Sequence, residues 1–179
     1  MKYLALAASA LLVSATALAD RPSSDPGHNG HASQSFITVS VNGLSCASSA
    51  GAGAFDARSW SWGASNTASG SGGGGGGSSK AVVNALVVKK AFDACSPSLF
   101  GAVTTGRHFS TLTLTDRDDD GIIVATVTLG EVLVTSWNVG STNHDDTPDE
   151  AVSFTFRKVC IAAGGASQMC YDTATATTT

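Results

Sequence analysis

Long apolar runs are missing from this 179-residue sequence. The stretch Leu4 to Val13 falls short of the roughly 18 residues that span a bilayer, and no later run reaches that length, which excludes insertion by a helix. Charge is also scarce. Only 13% of residues are charged, and 10 Lys and Arg stand against 14 Asp and Glu, a formal net charge of −4. A basic footprint for nucleic acid or anionic lipid is therefore lacking. No Cys-x-x-Cys pair is present and no histidine lies beside a cysteine, so the spacing argues against zinc. No Gly-x-Ser-x-Gly elbow supports a hydrolase, no Gly-Lys-Ser or Gly-Lys-Thr closes a phosphate loop, and no internal repeat is visible.

What is present begins with an export signature. Lys2 gives a basic start, Leu4 to Val13 an apolar stretch, and Ala17-Leu18-Ala19 a small-residue cleavage site, so residues 1–19 read as a signal peptide. Residues 20–34 (DRPSSDPGHNGHASQ) have no apolar period and read as a flexible leader. Its His28 and His31 fix no metal geometry by themselves. The remainder fits one domain, 35–173, followed by a disordered tail, 174–179. The product is expected to be secreted or periplasmic. Four cysteines, Cys46, Cys95, Cys160 and Cys170, follow the signal. An even count in an oxidising compartment predicts two disulfides, with three pairings open. The turn-like Ala163-Gly164-Gly165-Ala166-Ser167 between Cys160 and Cys170 favours joining those two, which leaves Cys46 with Cys95.

Twenty glycines and abundant Thr and Ser, with few charges, favour strands joined by turns. Ile37, Val39 and Val41 alternate with Thr38, Ser40 and Asn42, the period of a half-buried strand. A second strand is predicted over 55–66, with Trp60 and Trp62 in the core and Ser59, Ser61 and Gly63 on the opposite face. After the low-complexity loop 68–79, a third runs over 80–91, where Ala85-Leu86-Val87-Val88 reads as buried on both faces. Ser96 as N-cap and Pro97 as first helical residue predict one helix, ending near Gly106. Further strands follow at 109–116, 122–136, 151–162 and 168–173. Six or seven strands with one helix call for an all-β, mainly antiparallel closed barrel or sandwich.

Candidate chemistry is thin. Asp116, Asp118 and Asp120 with Gly121 open like a calcium loop, but the twelfth position is Val127 instead of a bidentate Glu, and Asp-Gly between alternating strands is a hairpin signal. The turn outweighs the calcium site. The acidic group of His144, Asp145, Asp146, Asp149 and Glu150 reads as a solvated face. His108 and the serines carry no triad spacing, and oxidised cysteines make poor nucleophiles, so no enzymatic activity and no cofactor are expected.

Ser59-Trp60-Ser61-Trp62-Gly63, the glycine run, and a Val-rich strand leading into Ser96-Pro97 occur in the order found in the Hcp (haemolysin-coregulated protein) family of type VI secretion tube proteins, which the chain strongly resembles. Gly106-Arg107-His108, the segment 129–136, the segment 149–156 and Tyr171-Asp172-Thr173 resemble further motifs of that family. The likeness spans about residues 35–173, with Trp60, Trp62 and Gly63 at its core. It implies an Hcp-like β-barrel with one short flanking α-helix. It also implies a homo-oligomer, a hexameric ring able to stack into a tube that carries secreted effector cargo, with Ser61 turned toward the lumen. The glycine-rich loop is a candidate stacking contact. Family members normally lack a cleavable signal and disulfides. That departure leaves an alternative open: an exported extracellular or periplasmic binding or structural module outside any secretion machine.

Overall fold

The computed structural model describes residues 37–66, 81–142 and 147–179. The signal segment, the leader with His28 and His31, the glycine-rich loop 68–79 and His144, Asp145 and Asp146 lie outside the described residues. In chain order the strands are β1 (Ile37–Val41), β2 (Ala47–Ser48), β3 (Gly51–Ala52), β4 (Ala54–Ala57), β5 (Ser59–Ser61), β6 (Ala64–Ser65), β7 (Val82–Val83) and β8 (Leu86–Ala91). Helix α1 (Ser96–Thr105) follows, then β9 (His108–Arg117), β10 (Ile123–Gly140), β11 (Asp149–Thr155), β12 (Lys158–Ala163), β13 (Met169–Asp172) and β14 (Thr177–Thr178). Every strand pair is antiparallel.

Ten strands form one sheet organised around β10. One arm runs from β10 through β9 and β1 to β4, the other through β11 and β8 to β5. Because β4 and β5 are consecutive, joined through Arg58, the two arms close on each other, and the Arg58 amide donates to Lys89 O at the seam (2.8 Å). The closed arms turn one set of alternating side chains inward. Val39, Val41, Phe55, Leu86, Val88, Leu112, Leu114, Leu129, Val132, Val152 and Phe154 make the core, with Leu99 of α1 packed into it. Full burial of a side chain such as Phe55 or Phe154 is worth about 1.5–3 kcal/mol relative to exposure. The outward positions of β1, β9 and β10 carry Thr38, Ser40, Thr113, Thr115, Thr126 and Thr128, paired across the strands.

Three strands read as continuous are broken. Residues 55–66 divide into β4, β5 and β6, and 80–91 into β7 and β8, because these segments change partners along their length. Residues 151–162 stay paired with β10, with a register shift between Val134 and Ser136, and bend at Phe156 and Arg157, opposite Glu131, whose φ is +54°. The bend lets β12 continue alongside β10, with Val159 still in the core, and β13 and β14 extend from it. The tail 174–179 folds back as β14 on β13, where the Cys170 and Thr179 amides exchange hydrogen bonds of 2.9 and 3.0 Å.

Helix α1 begins one residue earlier than its sequence signature. Cys95 is the N-cap, Ser96 the first helical residue and Pro97 the second. The Ser96 hydroxyl is drawn elsewhere, accepting from the Asp93 amide (2.9 Å) and Lys90 Nζ (3.2 Å). Gly106 ends the helix at φ +64°, a left-handed cap that only glycine adopts at no steric cost, and its amide reaches back to Val103 O (3.4 Å).

Candidate functional site

The tryptophan strand lies at the barrel seam. Alternation sends Trp60 inward and leaves Ser59 and Ser61 exposed, paired with Lys89 and Val87 of β8. Both indoles are half-buried against the core instead of enclosed by it, because each ring nitrogen must keep a partner at the edge. Trp60 Nε1 donates to Asp116 Oδ2 (2.8 Å) and Trp62 Nε1 to Asn84 O (3.0 Å), while the Trp62 ring meets Phe156 at 6.2 Å between centroids. Gly63 follows with its carbonyl taken by the Asn84 amide (2.9 Å). Trp60, Trp62 and Gly63 thus pin the seam, and Ser61 presents its hydroxyl on the solvent side.

Inside the barrel lies a feature the sequence reading missed. Leu86, Val88 and Lys90 share the inward face of β8, and Glu150, Val152 and Phe154 share that of β11. Register places Lys90 opposite Glu150. Lys90 is fully buried and Glu150 is 2% exposed, so the acid read as solvated is interior. Lys90 Nζ donates to Glu150 Oε1 (2.7 Å), Asp93 Oδ1 (2.8 Å) and Ala91 O (2.8 Å), and lies 5.2 Å from the Phe55 ring centre. Glu150 Oε2 accepts from Trp137 Nε1 (3.0 Å). Burial of a charge is tolerated when it is paired and its remaining hydrogen-bonding capacity is filled. Alternation was the available signal, since it puts one charge of each sign on an otherwise apolar inward face. The segment Ala85-Leu86-Val87-Val88 likewise alternates, with Leu86 and Val88 buried and Ala85 and Val87 only half-buried.

The structure pairs Cys46 with Cys95 and Cys160 with Cys170, and no described cysteine is free. The first bridge ties the loop after β1 to the start of α1, where Ser98 Oγ also donates to Ser45 O (2.6 Å). The second joins directly opposed positions on β12 and β13.

The turn after β9 does not gather its acids. Asp116 faces Trp60, while Asp118 Oδ1 accepts from the Asp120 and Ile122 amides (3.0 and 2.9 Å), as an Asx-type turn does. Among the described residues no group of three or more His, Cys, Asp or Glu is placed to hold a metal ion. Asp149 leaves the acidic group to pair with Arg58. His108 is exposed at the start of β9. The described surface thus offers interaction faces: the hydroxyl rows of β1, β9 and β10, the Ser59 and Ser61 face, and an apolar end formed by Ile122, Ile123 and Val124. No described helix is long and apolar enough to cross a membrane.

Residues 36–162 match the family model described as "Type VI secretion system effector, Hcp". No curated protein matches the chain. Among solved structures, a type six secretion system protein superposes with a TM-score of 0.72 at 23% identity, covering 80% of this chain and 98% of its own. Hcp1 from Salmonella typhimurium gives 0.66 at 21% identity, with 80% and 97% covered. A type VI secretion system effector from Yersinia pestis gives 0.62 at 18%, with 76% and 98% covered.

Proposed function

The chain belongs to the Hcp family of type VI secretion system proteins, and from that premise we propose that it is a ring-forming structural subunit of a type VI secretion-like tube that carries effectors or helps export them. The observation that carries this reading is the extent of the family match, which runs from the residue before β1 to the penultimate residue of β12. The role is structural and not enzymatic. A cyclic, head-to-tail ring needs two complementary patches on each copy, and stacking needs a third contact between ring faces. A hexamer is the expected closure, with Ser61, exposed on β5, facing the lumen and touching cargo. The glycine-rich loop 68–79 would supply the stacking contact.

The export signature adds a second reading. Residues 1–19 would direct the chain out of the cytoplasm and be removed, and two disulfides suit an oxidising destination. An exported Hcp-like module, forming rings or acting as a binding domain in the periplasm or outside the cell, follows from this.

Negative-stain microscopy of the protein beginning at Asp20 tests assembly: closed rings are expected, and a monomer at every concentration would refute it. N-terminal sequencing of the native protein separates the two readings, since an intact Met1 favours the tube subunit and a start at Asp20 the exported module.

A further inference from the structure

The two disulfides differ in what surrounds them. Cys95 is fully buried in the core and only its half-buried partner Cys46 reaches a surface cleft, so the Cys46–Cys95 bridge offers reagents one sulfur at most. Cys160 and Cys170 are both half-buried and line a surface cleft of about 340 Å³ together with Lys158 and Asp172.

Their backbone setting accounts for a bridge that can open locally. The Thr173 amide donates to Arg157 O (2.8 Å), which makes 157 with 173 a hydrogen-bonded pair. Counting along the ladder, Cys160 and Cys170 form a non-hydrogen-bonded pair, the class in which opposed side chains stand closest. The Cys170 amide turns the other way, to Thr179 O. The bridge therefore fastens β13 to β12 where the ladder itself does not. Beyond it, this flap holds on through a short ladder, the Arg157 to Asp172 contact (3.6 Å), and the half-buried Tyr171. So short a pair of strands is marginal without a staple.

We propose that the Cys160–Cys170 disulfide is a thiol–disulfide exchange site for a dithiol reductant, and that its opening releases the flap formed by β13 and β14 while the barrel and the Cys46–Cys95 bridge remain intact. The direction of attack follows from charge. Lys158 shares a strand face with Cys160, and Asp172 shares one with Cys170. The ammonium stabilises a thiolate leaving from Cys160, so the dithiol's thiolate attacks Cys170 Sγ. A sulfur–sulfur bond forms between reductant and Cys170 as the Cys160–Cys170 bond breaks. The reductant's second thiolate then displaces Cys170, closing the reductant's own disulfide. Two electrons pass from dithiol to protein, and the two protein sulfurs take up the two protons the dithiol loses. This inference does not depend on ring formation.

Timed alkylation of the oxidised full protein in dithiothreitol, read by peptide mass spectrometry, tests it. Labelling of Cys160 and Cys170 at least about tenfold faster than Cys46 and Cys95 is expected, with faster amide exchange confined to residues 169–179. Equal rates for all four cysteines, resistance of Cys160 and Cys170 until the protein unfolds, or opening without a change in flap exchange would each overturn it. With glutathione, a monothiol, the adduct is expected on Cys170; an adduct on Cys160 refutes the direction of attack. The C160S/C170S double variant should show the fast flap exchange without reductant. Retention of slow exchange in that variant would show that the bridge does not hold the flap.

Discussion

Lys90 and Glu150 face each other across β8 and β11 with Nζ 2.7 Å from Oε1, and neither side chain reaches solvent. The pair links three parts of the barrel at once. Asp93 connects it to the Cys95 amide at the start of α1 (2.7 Å), Ser96 to the helix itself, and Trp137 to β10.

The two charges are not equally compensated. Lys90→Met is expected to cost about 3–5 kcal/mol, because Glu150 is left buried with no cation, and Glu150→Gln less, because Asp93 still pairs with Lys90. The double variant K90M/E150L, apolar on both sides, should be less destabilised than the sum of the singles. Urea unfolding at neutral pH checks this, and an additive double variant would show that the two side chains do not act as a pair.

This network also marks where the sequence ceased to be legible. Strict alternation made β1 and most of β9 readable, because each has one apolar face and one of Thr and Ser. The same rule applied to β8 and β11 meets Lys90 and Glu150 on the apolar face, where composition alone assigns charge to solvent. Only the register between two strands sixty residues apart makes their burial tolerable. Partner changes along 54–65 and the corner at Arg157 were illegible for a related reason. They are set by closure of the sheet, not by local pattern. The tail 174–179 has no apolar period, yet it pairs as β14 because β13 offers an open edge and Asp172 caps the turn between them.

Asp172 makes the acid limb of stability predictable. The Thr175 amide, then the Ala174 amide and the charges of Arg157 and Lys158, outweigh desolvation and hold its carboxyl below the usual carboxylate range. A carboxyl lowered on folding adds stability above the unfolded-state value, and that contribution disappears as pH falls through the folded value. Asp172→Asn should therefore lower Tm at pH 6 and have little effect at the acid end, once the native carboxyl is itself protonated. A difference in Tm that does not shrink with falling pH would contradict this account.

The Cys46–Cys95 bridge closes a sequence separation of 49 that includes the tryptophan strand. Its removal by C46S/C95A should cost about 2–4 kcal/mol, through the entropy returned to the unfolded chain. Denaturant unfolding of oxidised samples measures the loss. Loss of the half-buried Cys160–Cys170 bridge, which closes a separation of 10 residues, should cost less. The opposite order would indicate that the flap contributes more to the fold than its few contacts suggest.

Trp60 and Asp116 couple the seam to the far end of β9, since the indole donates to a carboxylate rather than to backbone. Trp60→Phe keeps most of the ring and removes the donor, which should cost about 1.5–3 kcal/mol, as for other hydrogen bonds to charged groups. Asp116→Asn retains an acceptor and should cost less. Thermal melts of the two variants separate lost packing from the lost bond: equal destabilisation by both would place the effect in the carboxylate's charge.

Glu131 tests the corner itself. A side chain at φ +54° carries a steric cost that glycine avoids, and a β-branched residue tolerates that region worst. The position holds because β10 must turn there, with the Arg157 amide donating to Gly130 O (3.0 Å) and the Arg157 guanidinium 3.5 Å from the Glu131 carboxylate. That exposed ion contact is worth no more than about 1 kcal/mol, so backbone conformation should dominate any substitution. Glu131→Val is expected to destabilise by about 1–2 kcal/mol, and Glu131→Gly to be nearly neutral, because relief of the left-handed geometry offsets the lost contact and the added unfolded-state entropy. Urea midpoints of the two variants decide it. If Glu131→Gly proves as damaging as Glu131→Val, the ion contact with Arg157 holds the corner, and the bend between β11 and β12 owes more to charge than to chain geometry.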